Sequence, residues 1–438
     1  YNTISGEFND TRDPLAPFMG DDVGTNNRLF VAGDVRANEN PLLIAFHTLY
    51  VREHNRLCDE YKELHPDWDD ERLYQKARKM VGALIQSTVY EEWLPAMGIQ
   101  LDPYAGYDPS VNPSLSNSFA AAAFRLGHTL LNSRIMRLDN EGQVIARGHI
   151  GLRDAFFQPT EVPLAGGLDP YFKGMGVQIQ QNLDCKIIDD VRNFLFGIPG
   201  LGGLDLASIN IMRGRERGLP DFNTLRASIG LTPYEDFSQI CADPELTGGL
   251  NAAYSGNVNN IDPWVGMLAE DHMPEALFGE TIMEIMKDQF GRLRDGDRFY
   301  YENDPGISPE EVDEIKKTSL ADVIRRNTNI ALMQDNVFVA MDHEDIPFAK
   351  AEVTRTNLDI ALFPNPVVNQ LNIKLFASGD GESTISIFDL QGRLVYTADV
   401  ALRQGINTMS IDASGLTSGL FVLQVGQSGV YNSVRFVK

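Results

Sequence analysis

Phe124-Arg125-Leu126-Gly127-His128-Thr129-Leu130 is the stretch of sequence that decides the fold. It follows four alanines, Ala120 to Ala123, and places a histidine in a helix that the pattern predicts from about residue 116 to residue 131. Small side chains let a flat ligand approach the backbone, and an imidazole at that edge reaches the centre of the ligand. The segment therefore predicts a ligand site built around His128.

Two further segments belong with this one. They are Ala32-Gly33-Asp34-Val35-Arg36-Ala37-Asn38-Glu39-Asn40-Pro41 and Leu206-Ala207-Ser208-Ile209-Asn210-Ile211-Met212-Arg213-Gly214-Arg215. Together, the three segments resemble the animal-type haem peroxidases of the peroxidase–cyclooxygenase superfamily, in its bacterial branch. The resemblance runs from about residue 29 to about residue 340, with shorter matches at residues 52–56, 91–95, 218–220 and 293–299. So many matches in the same order indicate a family more specifically than any single motif does.

The resemblance implies that His128 is the metal ligand, binding haem iron through one imidazole nitrogen. The second nitrogen then needs an acceptor that fixes the tautomer and makes the ligand more basic. Asn210 stands where the family has the asparagine with this role. Taken alone, His128 would be a hydrogen-bonded helix histidine and Asn210 a turn or cap residue.

Four more charged residues match family positions. Arg36 matches the distal arginine, whose fixed guanidinium stabilises negative charge on the oxygen that leaves during peroxide cleavage. The alternative for Arg36 is a surface ion pair with Asp34. Glu39 matches a glutamate that, in several members, forms an ester with a haem methyl group. Arg125 and Arg213 match arginines near the haem propionates, where guanidinium and carboxylate bind in a bidentate manner.

Other parts of the family pattern are not found in these 438 residues. They are the distal histidine that takes the peroxide proton, the calcium-binding loop and the aspartate of the second haem ester, all of which lie upstream in the family. The resemblance therefore predicts that Tyr1 is not the natural N-terminus and that calcium belongs to the full-length member. It also predicts that this chain alone is impaired as an enzyme.

Composition excludes several classes of partner. The net charge of −24 disfavours nonspecific binding to nucleic acid or to an anionic membrane. No apolar run approaches the roughly 18 residues that a membrane span needs. The three cysteines show no metal-ligand spacing. His47 and His54 lie on one predicted helical face, but a pair lacks the further ligands of a metal site.

Helical patterns dominate up to about residue 360. Asn40-Pro41 is typical of a helix start, with an N-cap followed by proline. Ser308-Pro309-Glu310-Glu311 predicts a capping box. Further helices are expected near residues 178–196, 274–294 and 308–327.

The pattern changes near Phe363-Pro364-Asn365-Pro366, after which short alternating runs predict β-strands. Strands are expected at residues 371–376, 384–388, 393–396, 407–411, 420–425 and 433–437. This part resembles the C-terminal sorting domain of type IX secretion in the Bacteroidetes, through residues 363–366, 387–393, 416–422 and 435–438. The alternative is a carbohydrate-binding or adhesive sandwich.

The sequence therefore predicts a mainly α haem peroxidase domain, residues 1–360, followed by a small all-β sandwich, residues 361–438. The expected function is an exported haem peroxidase that reduces hydrogen peroxide and oxidises small organic donors or halide-type anions. Its expected location is the medium or the outer-membrane surface, reached with the type IX secretion machinery. One alternative is a noncatalytic haem-binding or cell-surface module. The other is a fatty-acid dioxygenase, disfavoured because Arg125 stands where those enzymes have a radical-forming tyrosine.

Overall fold

The computed structural model describes residues 19–21, 29–197, 203–341, 359–363, 366–377, 380–389, 393–403, 405–427 and 430–438. The chain forms two compact units, Tyr1–Ala349 and Lys350–Lys438. The first is helical and the second is made of β-strands. This order is the predicted one, a mainly α domain followed by a small β domain. The exact domain limits, 1–360 and 361–438, stay a prediction.

The first unit is built from α-helices joined by long loops. Their bounds are α1 (Pro41–Leu64), α2 (Asp70–Ser87), α3 (Leu94–Ala96), α4 (Asn117–Ala121), α5 (Leu152–Ala155), α6 (Glu161–Leu164), α7 (Asp169–Val177), α8 (Asp189–Arg192), α9 (Leu206–Glu216), α10 (Phe222–Ser228), α11 (Pro244–Ala253), α12 (Pro263–Ala269), α13 (Glu280–Asp295), α14 (Pro309–Lys317) and α15 (Leu320–Asn327). A π-helix, Thr88–Trp93, joins α2 to α3. Shorter 3₁₀ helices span Ala123–His128, Phe237–Gln239 and Val258–Asn260, and β1 (Arg134–Ile135) pairs with β2 (Ile150–Gly151).

The predicted helix starts are present. The Asn40 side chain accepts hydrogen bonds from the backbone N–H groups of Leu42 and Leu43, at 3.0 and 3.2 Å, so it satisfies donors that the first turn leaves unpaired. Ser308 and Glu311 form the reciprocal capping box at the start of α14. No helix in the described part of the chain is both long and apolar enough to cross a membrane.

Three predicted helices differ from the structure, and one of them, expected at residues 308–327, is divided into α14 and α15 by extended backbone at Thr318 and Ser319. The one that carries His128 is a short α4 followed by a 3₁₀ helix, with a break at Ala122. The helix expected at residues 178–196 is wrong, because only α8 is helical there. Gln178 is held in extended backbone instead, where its side chain accepts from Met136 N and donates to Arg134 O. These long-range hydrogen bonds replace the local ones of a helix.

The helical unit contains two hydrophobic cores. The first core includes buried residues of α1, α2, α7 and α15, and the second includes residues of α10, α12, α13 and the 3₁₀ helix of His128. Helix α9 packs against both cores, since Leu206 and Ile209 contact the first and Ala207 and Ile211 contact the second. Asn210 is fully buried between these two faces of α9.

The second unit contains two antiparallel sheets. Its strands are β3 (Asp359–Phe363), β4 (Gln370–Ala377), β5 (Gly381–Asp389), β6 (Leu394–Leu402), β7 (Gly405–Asp412), β8 (Leu420–Gln427) and β9 (Val430–Val437). The sheet orders are β3-β4-β7 and β6-β5-β8-β9. Alternate residues of β4, β5 and β8, such as Ile373, Ile385 and Leu423, form the buried layer. Strand β3 was not predicted, and Pro364, Asn365 and residues 390–392 of the predicted motifs lie outside the described residues.

Candidate functional site

The structure brings three of the predicted site residues into one hydrogen-bonded group. His128 lies at the end of its 3₁₀ helix, and its Nδ1 is 2.8 Å from Nδ2 of Asn210 on α9. Arg125, one turn before His128, donates from Nη1 to Oδ1 of Asn210 at 3.1 Å. The pairing of His128 with Asn210 that the sequence predicts is therefore present.

The Asn210 amide faces the opposite way from the expected one. As placed, its Nδ2 donates to Nδ1 of His128, so the ring hydrogen is on Nε2. Metal binding through Nε2 requires the other tautomer, with the hydrogen on Nδ1. A half-turn of the amide places Oδ1 against Nδ1 at the same spacing, because the two ends of an amide have nearly the same shape. That rotation also removes the acceptor of Arg125 Nη1, whereas Arg125 Nε keeps its bond to the Ala120 carbonyl.

The surroundings of His128 favour the neutral imidazole, which is the form that binds a metal. Burial lowers its pKa, and the positive charge of Arg125 lowers it further, whereas the hydrogen bond with Asn210 acts in the opposite direction. In the described part of the chain, His128 is hydrogen-bonded through Nδ1 alone. Its Nε2 is thus the nitrogen that can take an iron ion.

Positive charge collects beside this histidine. Burial lowers the pKa of Arg125, and the nearby positive charges of Arg213 and Arg217 lower it further. Arg125 forms no ion pair with any described carboxylate, and Arg213 bonds only the exposed Glu216, at 2.9 Å. Such a cluster suits an anionic group with two carboxylates. The sequence reasoning missed Arg217, although its position one helical turn after Arg213 is a usable signal.

Arg36 and Glu39 lie on a separate turn before α1. Arg36 forms a two-point ion pair with Asp34, at 2.7 and 3.0 Å, and 74% of its side chain is exposed. No hydrogen bond or ion pair between described residues joins Arg36 to His128 or Asn210. The Glu39 backbone is held by two hydrogen bonds: its N–H donates to the Arg36 carbonyl, and its carbonyl accepts from the Phe157 N–H. Arg36 therefore makes the surface ion pair that was its alternative interpretation.

Apolar side chains beside the histidine are exposed. Phe124 and Met212 expose 48% and 59% of their surface, next to Arg125 and Arg213 respectively. Of the four alanines, Ala121, Ala122 and Ala123 are buried in the protein and Ala120 is exposed. A flat apolar group with two carboxylates fits the residues present: Nε2 for its metal, the arginines for its carboxylates and the exposed apolar side chains for its ring.

A cavity of about 350 Å³ opens along the segment that follows His128. None of the predicted site residues lines this cavity, and it is lined by Asn132, Ser133, Arg134, Met136, His149, Gln178 and Gln181. Within the described ranges, no three histidine, cysteine, aspartate or glutamate side chains converge as a metal site. Iron binding at His128 would thus rest on one protein ligand.

Comparison with known proteins identifies the family. The model of the animal haem peroxidase family matches residues 4–338, and that of the secretion system C-terminal sorting domain matches residues 361–438. The chain belongs to the animal haem peroxidase family. Its sorting domain is of the type IX class, which directs export to the cell surface or beyond. The adhesive-sandwich alternative for the β unit is not supported by this match.

Individual relatives agree with this assignment. The chain is 41% identical to peroxinectin A of Dictyostelium discoideum over 313 residues, and 40% identical to the human peroxidasin homologue over 344 residues. These matches cover 71% and 74% of this haem peroxidase chain, but only 58% and 23% of the relatives. The chain thus spans little more than half of one relative and about a quarter of the other.

Solved structures give the same fold. Peroxidase A of Dictyostelium discoideum superposes with a TM-score of 0.70 and 38% identity, covering 77% of this chain and 67% of that one. The fatty acid α-dioxygenase of Oryza sativa superposes with a TM-score of 0.63 and 23% identity, covering 78% and 63%. At that identity the dioxygenase shows the fold alone.

Proposed function

We propose that this animal haem peroxidase is an exported enzyme that reduces hydrogen peroxide and oxidises small organic donors or halide-type anions. The observation that carries the proposal is the contact between His128 and the buried Asn210, at 2.8 Å, with Arg125 on the other end of the same amide. Haem would supply the redox-active iron when bound. Removal of peroxide outside the cell would make the protein part of a response to oxidative stress.

In this proposal, His128 holds the iron through Nε2, and Asn210 turns its amide so that Oδ1 accepts from Nδ1–H. The acceptor fixes the ring orientation and makes the imidazole more basic. The amide rotation leaves Arg125 Nη1 without its acceptor, while Arg125 Nε stays bonded to the Ala120 carbonyl. Arg125 then turns to a propionate carboxylate, with Arg213 and Arg217 beside it.

Arg36 is proposed as the residue that stabilises charge on the departing oxygen, and Glu39 as the residue that forms an ester with the haem. Arg36 acts in this way only if it leaves Asp34, since a guanidinium engaged by a carboxylate has its donors occupied. Its exposed position allows the side chain to turn. A noncatalytic haem-binding module is the second candidate, favoured by this same ion pair.

Among the residues that the structure describes, the proposed site contains none that takes the peroxide proton. Arg36 stays protonated at working pH, and the ion pair with Asp34 raises its pKa further. General-base assistance contributes about 10²–10⁴-fold. We therefore propose that the 438 residues by themselves react slowly with peroxide, and that stopped-flow absorbance of the haem-loaded chain would show this.

The test is haem titration of His128→Ala, with His54→Ala as the control. His54 is a helix histidine that bonds Asn55 and the Tyr74 carbonyl, so its loss leaves the site unchanged. His128→Ala is expected to lose the absorption spectrum of five-coordinate histidine-bound haem, and His54→Ala to keep it. An unchanged spectrum in His128→Ala would contradict the assignment of the iron ligand.

Peroxide added to the haem-loaded chain separates the two candidate functions. If peroxide changes the haem spectrum and a phenol or iodide then restores the original spectrum, the enzyme is supported. A haem spectrum that peroxide does not change, combined with normal haem affinity, supports the noncatalytic module.

A further inference from the structure

Aromatic side chains form a continuous row that begins in the 3₁₀ helix that carries His128. Phe124, in the same 3₁₀ helix, has its ring centroid 6.1 Å from that of Trp93. Trp93 is 5.7 Å from Phe290, and Phe290 is 6.1 Å from Tyr90. Successive rings at these centroid distances are in contact through edges and faces.

The row continues into a group of tyrosines. Tyr90 contacts Tyr300 at a centroid distance of 5.4 Å, and Tyr300 contacts both Tyr301 and Tyr104, each at 4.8 Å. Tyr90 packs against both hydrophobic cores, and Tyr300 and Tyr301 are buried in the first. The row therefore crosses from the core that contains Phe290 to the core that contains Tyr301.

The π-helix Thr88–Trp93 carries three residues of this arrangement, Tyr90, Glu91 and Trp93. π-Helices are rare and occur frequently at functional sites, because the wider turn changes the direction of the side chains. Here the turn lets Tyr90 and Trp93 both contact the Phe290 ring while Glu91 reaches the Tyr301 hydroxyl.

Tyr301 is the tyrosine of this group that is bonded to a carboxylate. Its hydroxyl donates to Oε1 of Glu91 at 3.2 Å, and Glu91 is exposed to solvent although Tyr301 is fully buried. The Tyr104 hydroxyl has no hydrogen-bond partner among the described residues, and the Tyr90 hydroxyl donates to the Phe290 carbonyl. A carbonyl oxygen does not hold a proton, whereas a carboxylate does.

We propose that Tyr301 is a redox-active tyrosine that loses one electron while Glu91 takes its phenolic proton. Trp93, Tyr90 and Tyr300 carry the electron toward the segment of His128. The inference rests on the proposed function, because the oxidant is haem that peroxide has oxidised.

The step balances in electrons and protons. The Tyr301 O–H bond breaks, an O–H bond forms on Glu91, and the electron reduces the oxidised haem by one equivalent. A phenolic donor at the surface beside Glu91 then returns one electron, Glu91 returns the proton to the Tyr301 oxygen, and the donor's own phenolic proton passes to the solvent. This second oxidation site serves donors that are too large to reach the haem. Burial raises the pKa of Tyr301, so the phenol keeps its proton until it is oxidised.

The test uses electron paramagnetic resonance on the full chain in two arms. In one arm, the haem-loaded protein is mixed with hydrogen peroxide and frozen at a series of times that extends until the absorption spectrum shows oxidised haem. In the other, the haem-free protein is oxidised by a flash-excited ruthenium tris-bipyridine complex with persulfate. The variants are Tyr301→Phe and Glu91→Gln, and the control is Tyr171→Phe, a buried tyrosine whose hydroxyl donates to the Glu161 carbonyl at 3.1 Å.

Tyr301→Phe is expected to weaken the tyrosyl radical signal in both arms, because the tyrosines that remain lack the Glu91 acceptor, and Tyr171→Phe is expected to keep the full signal. Glu91→Gln is expected to weaken the signal, since an amide cannot take the proton, and its exposed position keeps the fold intact if Tyr301→Phe does not fold. An equal signal in all variants, or no tyrosyl signal in the flash-oxidised protein, overturns the proposal. If peroxide fails to oxidise the haem, the proposed function fails, and the flash-oxidised arm still decides the role of Tyr301.

Discussion

At the scale of single residues, His149 is the histidine whose charge the fold opposes most clearly. Its Nδ1 accepts from the backbone N–H of Arg137 at 3.1 Å. Burial lowers the pKa of His149 to about 4, and the charges of Arg134 and Arg137 add to the effect. Between pH 4 and the ordinary value of 6.5, the folded chain binds fewer protons at this site than the unfolded chain.

The free energy of unfolding should therefore fall as the pH is lowered from 6.5 toward 4, because His149 binds a proton in the unfolded state but not in the folded state. We expect His149→Gln to reduce this pH dependence, since glutamine still offers an acceptor to Arg137 but does not titrate. Urea unfolding at pH 7 and pH 5 measures the difference. The same slope in both proteins would mean that other groups cause the loss.

Asn210 gives a second prediction at this scale. Residues that orient a metal-bound histidine typically change metal affinity by about 10–100-fold when they are removed. Asn210→Ala should weaken haem binding by that factor, with the far-ultraviolet circular dichroism retained. Asn303→Ala, which removes an exposed amide bonded to the Arg298 carbonyl, should leave haem affinity unchanged. Equal affinities in the two variants would remove Asn210 from the proposed site.

At the scale of elements, two glycines in helices predict opposite effects. Gly266 of α12 lies directly against the Phe222 ring of α10, so a Cβ at this position would overlap the ring. Gly249 of α11 is exposed, and a Cβ there would have no neighbour within 4 Å. Gly266→Ala should destabilise the fold by about 1–3 kcal/mol through overpacking. Gly249→Ala should stabilise it by about 0.5–1 kcal/mol, because alanine restricts the unfolded chain.

Thermal unfolding of the two variants, compared with the wild type, checks this pair. A stable Gly266→Ala would show that α12 can move away from Phe222 at little cost. In that case the Trp264 contact to the Arg125 carbonyl, at 3.4 Å, would be expected to lengthen.

The sequence predicts elements well where local chemistry decides them. The caps at Asn40 and Ser308 depend on side chains within three residues, and both are present. Residues 178–188 have apolar side chains at helical spacing but form loop, because Gln178 and Gln181 bond partners more than forty residues away. The orientation of the Asn210 side-chain amide likewise depends on Arg125, which the packing of the fold brings within hydrogen-bond distance of it. The contact between His128 and Asn210 was predictable only from the family resemblance.

At the scale of the whole molecule, the two units carry separate tasks. A chain that ends at Ala349 lacks the sorting domain but keeps every proposed haem ligand. We expect it to bind haem with the wild-type spectrum and to remain inside the cell envelope, where immunoblots of periplasm and medium would detect it. The sorting domain fused to an unrelated periplasmic protein is the control and should reach the surface. Loss of haem binding on truncation would mean that the units depend on each other.

Helix α9 also determines how cofactor loading affects the whole helical unit. Because it packs against both cores and its buried Asn210 bonds the His128 ring, a ligand bound at His128 Nε2 stabilises both cores together. A ligand that binds only the folded state raises stability by mass action. Haem would thus couple the unfolding of the two cores. Calorimetry of the helical unit should show two overlapping unfolding transitions without haem and one sharper transition, at higher temperature, with haem bound. The haem-free chain would then be the form that proteases cleave first, and the supply of haem would determine the lifetime of the protein.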